Sequence, residues 1–328
     1  MPNINSDSPL WPIWNDATTE DDIYYCFRLL LGRNPNTEEW RYHLPRLGAE
    51  LRSTVRSYLG SLEFSKRGLT SADEALSDIR VASINGATLY VHESDPVIGR
   101  AVLANIYEPE IVDTFKQFVT SGANVVDIGA NVGFYTMLSA TLVGTSGYVL
   151  AVEPNPANVK LLEASRLKNG FSNVEVASMA ASNHTGVLML NAGESNGTTI
   201  QGDADTEVLS ARAVVPCIKV DSLVSDGRKI DFIKIDVEGA ECVALQGMSK
   251  TIERCKPVLV SEFSPDSLPV FSGCSGRDYL MFLREFGYRL SVIEPNGSAT
   301  RYGDNVDSVI DAFHLRQSDH IDILAVPD

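Results

Sequence analysis

The chain has 328 residues, of which 44% are hydrophobic, enough to fill the core of one large domain and a smaller one. Its 27 Lys and Arg residues stand against 43 Asp and Glu, a formal charge of −16, so most of the surface repels an extended polyanion and neither nucleic acid nor an anionic membrane is expected as a partner. The five cysteines (Cys26, Cys217, Cys242, Cys255, Cys274) are scattered and form no CxxC pair, which fits reduced thiols in ordinary core or near-surface positions better than a disulfide framework or a zinc site.

In chain order, the opening MPNINSDSPLWPIW has no basic or apolar leader pattern, and no later stretch approaches the roughly eighteen apolar residues of a membrane span, so a cytoplasmic protein without membrane insertion is expected. TTEDDIYYCFRLLLGR reads as a helix with an acidic, capped start, apolar Ile23, Phe27, Leu30 and Leu31, and a stop at Gly32. PNTEEWRYHLPRL and ELRSTVRSYLGSLEFSKR continue as short helices. Residues 1–80 are thus expected to form an all-α module, and a polar connector around Ser71–Asp78 separates it from residues 81–328.

From Ala87 onward, short apolar strands alternate with helical runs. NVVDIG, GYVLAVEP, VEVAS, IDFIKID, PVLVSEF, YRLSVIE and DILAVP read as strands; Phe134–Thr141, Pro156–Lys168, Glu241–Gly247 and Arg277–Phe286 read as helices. Continuous apolar strands alternating with helices predict an α/β fold built on a mostly parallel sheet covered on both faces. The polar, glycine-containing stretch Asn191–Ala213 is expected to be a mobile loop between strands, either lying over a bound substrate or a plain solvated excursion.

The segment VVDIGANVGFYT marks the expected ligand site, because ligands of open α/β sheets sit at the carboxyl ends of the strands and the first strand–helix turn is the usual place. Gly129 and Gly133 permit a tight turn and close approach. A dinucleotide turn has the spacing G-x-G-x-x-G, aimed at a pyrophosphate. Here Asp127 precedes Gly129-x-x-x-Gly133, which places a carboxylate where phosphates would be repelled and a cation welcomed. S-adenosylmethionine carries an amino group and a sulfonium and no phosphate, so Asp127 is expected to receive its amino group and Glu153, ending the next strand, its ribose hydroxyls, with Asn155 close behind.

IYEPEI, VVDIGANVGFYT, AVEPNPANVKLLEAS, AASNHTG, IDFIKIDVEGAECVALQGM, VLVSEF and DILAVP together resemble the FkbM family of class I methyltransferases, with the run Ile235–Glu241 the specific part. The resemblance implies a Rossmann-like sheet of seven mostly parallel strands, S-adenosylmethionine as donor, and an alcohol on a sugar or polyketide as acceptor. Donor contacts are expected also at Asn131, Gly133, Ala181 and Asp236, besides Asp127, Gly129, Glu153 and Asn155, and Glu108 either closes over the donor or sets a charge at the start of the following helix. The patterns LLGRNPNTEEW and GSLEFSK resemble a small helical domain of unassigned role found in bacterial surface-associated and glycan-related proteins, which implies association or docking, and a homodimer is expected.

KIDVEGAE brings Asp236, Glu238 and Glu241 to one strand end. Glu241 is expected to cap the following helix. A sugar hydroxyl needs a base or a metal as its proton leaves. Asp236 and Glu238 are therefore expected to accept the proton and orient the hydroxyl, or to hold Mg²⁺ together with Glu262. His314 in DAFHLR is the alternative base, whereas His43, His92 and His184 lie in segments that read as surface. The rival functions are a non-catalytic scaffold of the same fold in a glycan assembly complex and an NAD(P)-dependent oxidoreductase, the latter disfavoured by the missing third glycine and the missing Tyr-x-x-x-Lys set.

Overall fold

The computed structural model describes residues 17–66, 78–192, 197–200, 213–302, 305–316 and 318–328. The chain divides into two compact units, Met1–Asp78 and Ile79–Asp328. Among the described residues no helix is long and apolar enough to cross a membrane.

In the first unit, α1 (Glu20–Tyr25) starts at a capping box in which Thr19 and Asp22 satisfy each other's backbone N–H, and the chain continues as a π-helical turn through Leu30. A second capping box, Asn36 with Glu39, starts α2 (Thr37–His43); α3 (Leu51–Leu59) and α4 (Leu62–Lys66) follow. Ile23, Cys26, Phe27, Leu31, Tyr58 and Phe64 bury a small core. His43 is held here rather than solvated: its ring stacks on Tyr58 and its Nδ1 lies 2.7 Å from the Tyr58 hydroxyl.

The second unit opens with the hairpin β1 (Ile79–Ile84) and β2 (Ala87–His92), followed by α5 (Gly99–Leu103) and α6 (Pro109–Phe118). The strands β3 (Asn124–Ile128), β4 (Tyr148–Val152) and β5 (Val174–Ala177) run parallel, linked by α7 (Phe134–Val143) and α8 (Pro156–Asn169). A four-stranded sheet is then inserted, formed by β6 (Ala180–Ala181), β7 (Gly186–Ala192), β8 (Gly197–Ile200) and β9 (Ala213–Ile218). Within the stretch expected to be a loop, β8 and the ends of β7 and β9 are therefore paired strand; its remainder, 193–196 and 201–212, lies outside the described residues.

The chain returns to the main sheet with β10 (Phe232–Ile235), followed by α9 (Glu241–Gln246) and α10 (Ser249–Cys255), and then β11 (Val258–Phe263). After α11 (Leu268–Phe271) and α12 (Gly276–Glu285) come β12 (Tyr288–Ile293), a short edge strand β13 (Ala299–Arg301), α13 (Val306–Arg316) and β14 (Ile321–Pro327). The main sheet has the order β13-β12-β14-β11-β10-β3-β4-β5, with β14 antiparallel between β11 and β12.

Strand alternation divides the core in two. Val126, Ile128, Ile233 and Ile235 face one layer, while Val125, Phe232 and Val260 face the other. By the same alternation Asp127, Lys234 and Glu262 join the second face near its carboxyl end, and the registers Lys234–Asp127 and Glu262–Asp322 make them neighbours across four strands.

The reading of all five cysteines as reduced thiols is corrected at two of them. Cys242 on α9 is bonded to Cys274 in the loop between α11 and α12, 32 residues on, whereas Cys26, Cys217 and Cys255 are free and buried. The pairing arises because that loop folds back over the turn before α9, where the Ser272 hydroxyl donates to the Gly239 carbonyl. Spacing along the chain gave no sign of it.

At the end of β3, Gly129 has φ +78°, and a Cβ there would overlap the Asp236 carbonyl of the neighbouring strand. Gly129→Ala is expected to destabilise the protein by about 3 kcal/mol, from forced backbone displacement and a strained φ. A chemical-denaturation midpoint equal to that of wild type would refute this.

Candidate active site

The strand order reverses between β3 and β10: β4 and β5 lie to one side, β11 to the other. A cleft opens at the carboxyl ends of these strands, and its walls include Glu108, Gly129, Asn131, Glu153, Asn155 and Ala181 on one side and Asp236, Glu238, Glu262 and His320 on the other.

On the first side, Glu153 is buried, with both oxygens engaged: Oε2 accepts the Asn131 N–H and Oε1 the Asn155 N–H, each at 2.8 Å. Burial raises its carboxyl to about 7 despite these bonds. Asn155 caps α8, its Oδ1 accepting the Ala157 N–H at 3.0 Å, while its buried Nδ2 has no partner among the described residues. Glu108, at φ 40° before α6, accepts a 2.5 Å hydrogen bond from the Tyr135 hydroxyl.

Two residues expected to meet the donor do not line the cleft. Asp127 has no exposed surface; its Oδ2 accepts from the Thr136 hydroxyl at 2.6 Å, because the start of α7 closes directly over the end of β3. Gly133 faces α8, where a Cβ would stand 2.9 Å from Leu162 Cγ, and so serves helix packing.

The acidic side is organised by a lysine that the sequence reading passed over. Lys234 is 4% exposed in the middle of β10, its Nζ 2.7 Å from Asp236 Oδ2 and 4.7 Å from the centre of the Tyr135 ring. Burial works against its ammonium, yet the charges of Asp236, Glu108 and Asp127 hold its pKa above the ordinary value. Burial likewise opposes ionisation of Asp236, but the Lys234 charge and a hydrogen bond from Glu262 outweigh it and keep that carboxyl low. Glu262 is pushed the other way, first by burial and then by the Asp236 charge, so the two acids titrate as a coupled pair. Glu238, at φ 54°, is raised by burial and by Asp236; Asp322 on β14 is raised to about 7 by burial and by Glu108.

Oxygen atoms of Asp236, Glu238 and Glu262 lie within 4.8 Å of one another, an all-oxygen donor set suited to a hard cation. Glu241 turns away from the cleft, its Oε1 accepting the Val237 and Gly239 N–H groups at 3.0 and 3.1 Å while its Oε2 is buried without a partner among the described residues.

His314 does not reach the cleft. The face of α13 bearing Val306, Val309, Ala312 and Phe313 is buried, which leaves His314 exposed on the outer side. The histidine that lines the cleft is His320, in SDHIDILAVP, one residue before β14. The available signals were a lysine inside the otherwise apolar FIKI and a histidine at the mouth of the last strand.

A family profile described as the methyltransferase FkbM domain matches residues 127–290, half of the chain. No curated protein matches it. Among solved structures, the chain is similar to a methyltransferase FkbM from Methylobacillus flagellatus, with 17% identity over 70% of this chain and 55% of that one and a TM-score of 0.39, so it spans about half the length of that protein. It is also similar to a SAM-dependent O-methyltransferase from Thermotoga maritima (15% identity, 78% of this chain, 80% of that one, TM-score 0.39). A third is fibrillarin from Aeropyrum pernix with bound S-adenosyl-L-methionine (16% identity, 76% and 82%, TM-score 0.38).

The buried Glu241 has a pH signature. Its folded-state carboxyl lies at about 7, raised by burial, above the ordinary value near ~4.3 of an unfolded chain, so between these values the folded state holds the extra proton. Stability from this group is therefore lost as pH rises through that window, by up to about 1.4 kcal/mol per pH unit. Glu241→Gln keeps an acceptor for the two N–H groups and removes the titration. Unfolding free energies between pH 5 and 7 are expected to fall less steeply for this variant than for wild type, and parallel slopes would refute the assignment.

Proposed function

The chain belongs to the FkbM methyltransferase family, and from that premise we propose that it transfers a methyl group from S-adenosylmethionine to a hydroxyl of a sugar, glycan or polyketide-type acceptor. The observation that carries this reading is the crowd of carboxylates around Lys234, set beside the donor side of one cleft at the switch point of the sheet. The family assignment sets aside the oxidoreductase alternative.

The donor side fits the cofactor. Glu153, directly after β4, would receive the ribose diol, and Asn155 Nδ2, without a partner among the described residues, is a buried donor in want of an acceptor. Bound there, S-adenosylmethionine supplies an electrophilic methyl carbon on a sulfonium. Asp127, buried beneath the turn, supports this side by holding α7 against β3 through Thr136 rather than by touching the ligand.

On the acceptor side, methyl transfer is an in-line displacement, and its main requirement is alignment of oxygen, carbon and sulfur. Asp236, fixed by Lys234, presents an ionised carboxylate of settled orientation that can accept the hydrogen bond of an incoming hydroxyl. Glu238, on the left-handed turn beside it, adds a second acceptor, and such acceptors suit a polyhydroxylated substrate. A second reading rests on the clustered oxygens of Asp236, Glu238 and Glu262, which would hold Mg²⁺ to polarise the acceptor oxygen.

Transfer of labelled methyl to a panel of glycosides and polyketide alcohols tests the proposal. Asp236→Asn is expected to lower turnover about 10²-fold at nearly unchanged donor affinity, whereas Glu153→Ala weakens the donor by about 1.5–3 kcal/mol in calorimetry. A wild-type protein that binds donor but methylates no hydroxyl would identify a scaffold instead. Loss of activity with a chelator, restored by Mg²⁺, would select the metal reading over the metal-free one.

We further propose that the helical unit, residues 1–78, mediates self-association or docking. Its removal is expected to leave donor affinity intact and to change the sedimentation behaviour from dimer to monomer. Loss of donor binding in a folded truncated chain would place the unit in the active site.

A further inference from the structure

Methylation of a neutral hydroxyl releases a proton, and that proton needs an acceptor within hydrogen-bond reach of the reacting oxygen. Most carboxylates of the cleft are already committed. Asp236 Oδ2 is 2.7 Å from the Lys234 ammonium, and Glu262 hydrogen-bonds to the same carboxylate. Glu153 accepts backbone N–H groups on both oxygens, and Glu108 accepts the Tyr135 hydroxyl. Each of these positions something; none is a free base.

His320 lines the same cleft from the last strand. Its backbone is anchored: the Ser264 hydroxyl donates to the carbonyl of Asp319 at 2.8 Å, Ser264 is itself buried, and the next residue, Ile321, pairs with Phe263 at the end of β11. Its Nδ1 lies 2.9 Å from Asp319 Oδ1, which leaves Nε2 as the ring nitrogen available to the cleft. The charged groups whose fields reach the imidazole are Asp319 beside it, Asp236 and Glu238 from the turn after β10, and Asp322 from β14, all acidic. Glu262, Glu108 and Lys234 are further titratable residues lining the cleft.

We propose that His320 is the general base of the methyl transfer. As the acceptor oxygen bonds to the methyl carbon, its proton passes to His320 Nε2. The electron pair of the breaking carbon–sulfur bond stays on sulfur, and the products are an ether, a neutral thioether and an imidazolium. The assignment rests on the O-methyl transfer proposed above and adds to it the proton's destination, with Asp236 and Glu238 orienting the hydroxyl.

The test uses the full-length protein and a hydroxyl acceptor that wild type methylates. His320→Ala is expected to lower kcat by about 10²–10⁴-fold, with S-adenosylmethionine affinity within about twofold of wild type and partial recovery on adding imidazole. His320→Gln, closer in size, should show the same loss if the alanine variant folds poorly. Wild-type kcat in either folded variant overturns the proposal. So does a loss of kcat that imidazole does not relieve and that donor affinity follows, since that is the pattern of a structural residue. If wild type itself methylates no hydroxyl, the O-methyl reading fails first, and an inactive wild type is distinguishable from an active one indifferent to His320.

Discussion

An ammonium group buried at the centre of a parallel sheet is costly unless charge of the opposite sign surrounds it, and the residues around Lys234 follow from that requirement. Asp127 lies opposite it in the β3 register, Asp236 follows it on its own strand, and the Tyr135 ring covers it. The reverse dependence is as strong. Without the lysine, Asp127 and Asp236 would be buried carboxylates with no cation between them. The arrangement lowers the Asp236 carboxyl through the Lys234 charge and raises that of Glu262 through burial and the Asp236 charge, so the two acids of the acceptor side are not interchangeable.

The donor side is built from backbone rather than from charge. The Gly129 turn brings the end of β3 against the Asp236 carbonyl, and Asp127 ties the start of α7 down over it. Glu153 then draws the Asn131 and Asn155 amides toward one carboxylate, which joins the loops after β3 and β4 into a single wall. An acidic residue before the glycine is thus part of the scaffold of the turn, and the acidic residue just beyond the following strand is the one that lines the cleft.

The turn between β10 and α9 carries Glu238 at a left-handed φ, and three features hold it. Glu241 binds its backbone N–H groups from within, Ser272 binds the Gly239 carbonyl from outside, and the Cys242–Cys274 bond joins the helix behind it to the same outer loop. A carboxylate that must point into a cleft is in this way mounted on a segment restrained from both sides.

Much of this was legible in the residues. Apolar strands alternating with helices and the Asp127–Gly133 turn determine the α/β class and the location of the cleft, because side-chain periodicity and glycine geometry are local properties. The run KIDVEGAE likewise marks an acidic strand end on its face value. What the linear chain could not decide is direction and company. Whether Asp127 faces ligand or helix depends on how α7 closes; which histidine meets the cleft depends on the face α13 buries and on where β14 begins; and the Cys242–Cys274 bond depends on a loop folding back. Above all, Lys234 takes its meaning only from strand order. β3, β10, β11 and β14 are distant in sequence, and the sheet alone sets their acids beside one lysine, where low dielectric makes each charge depend on the others.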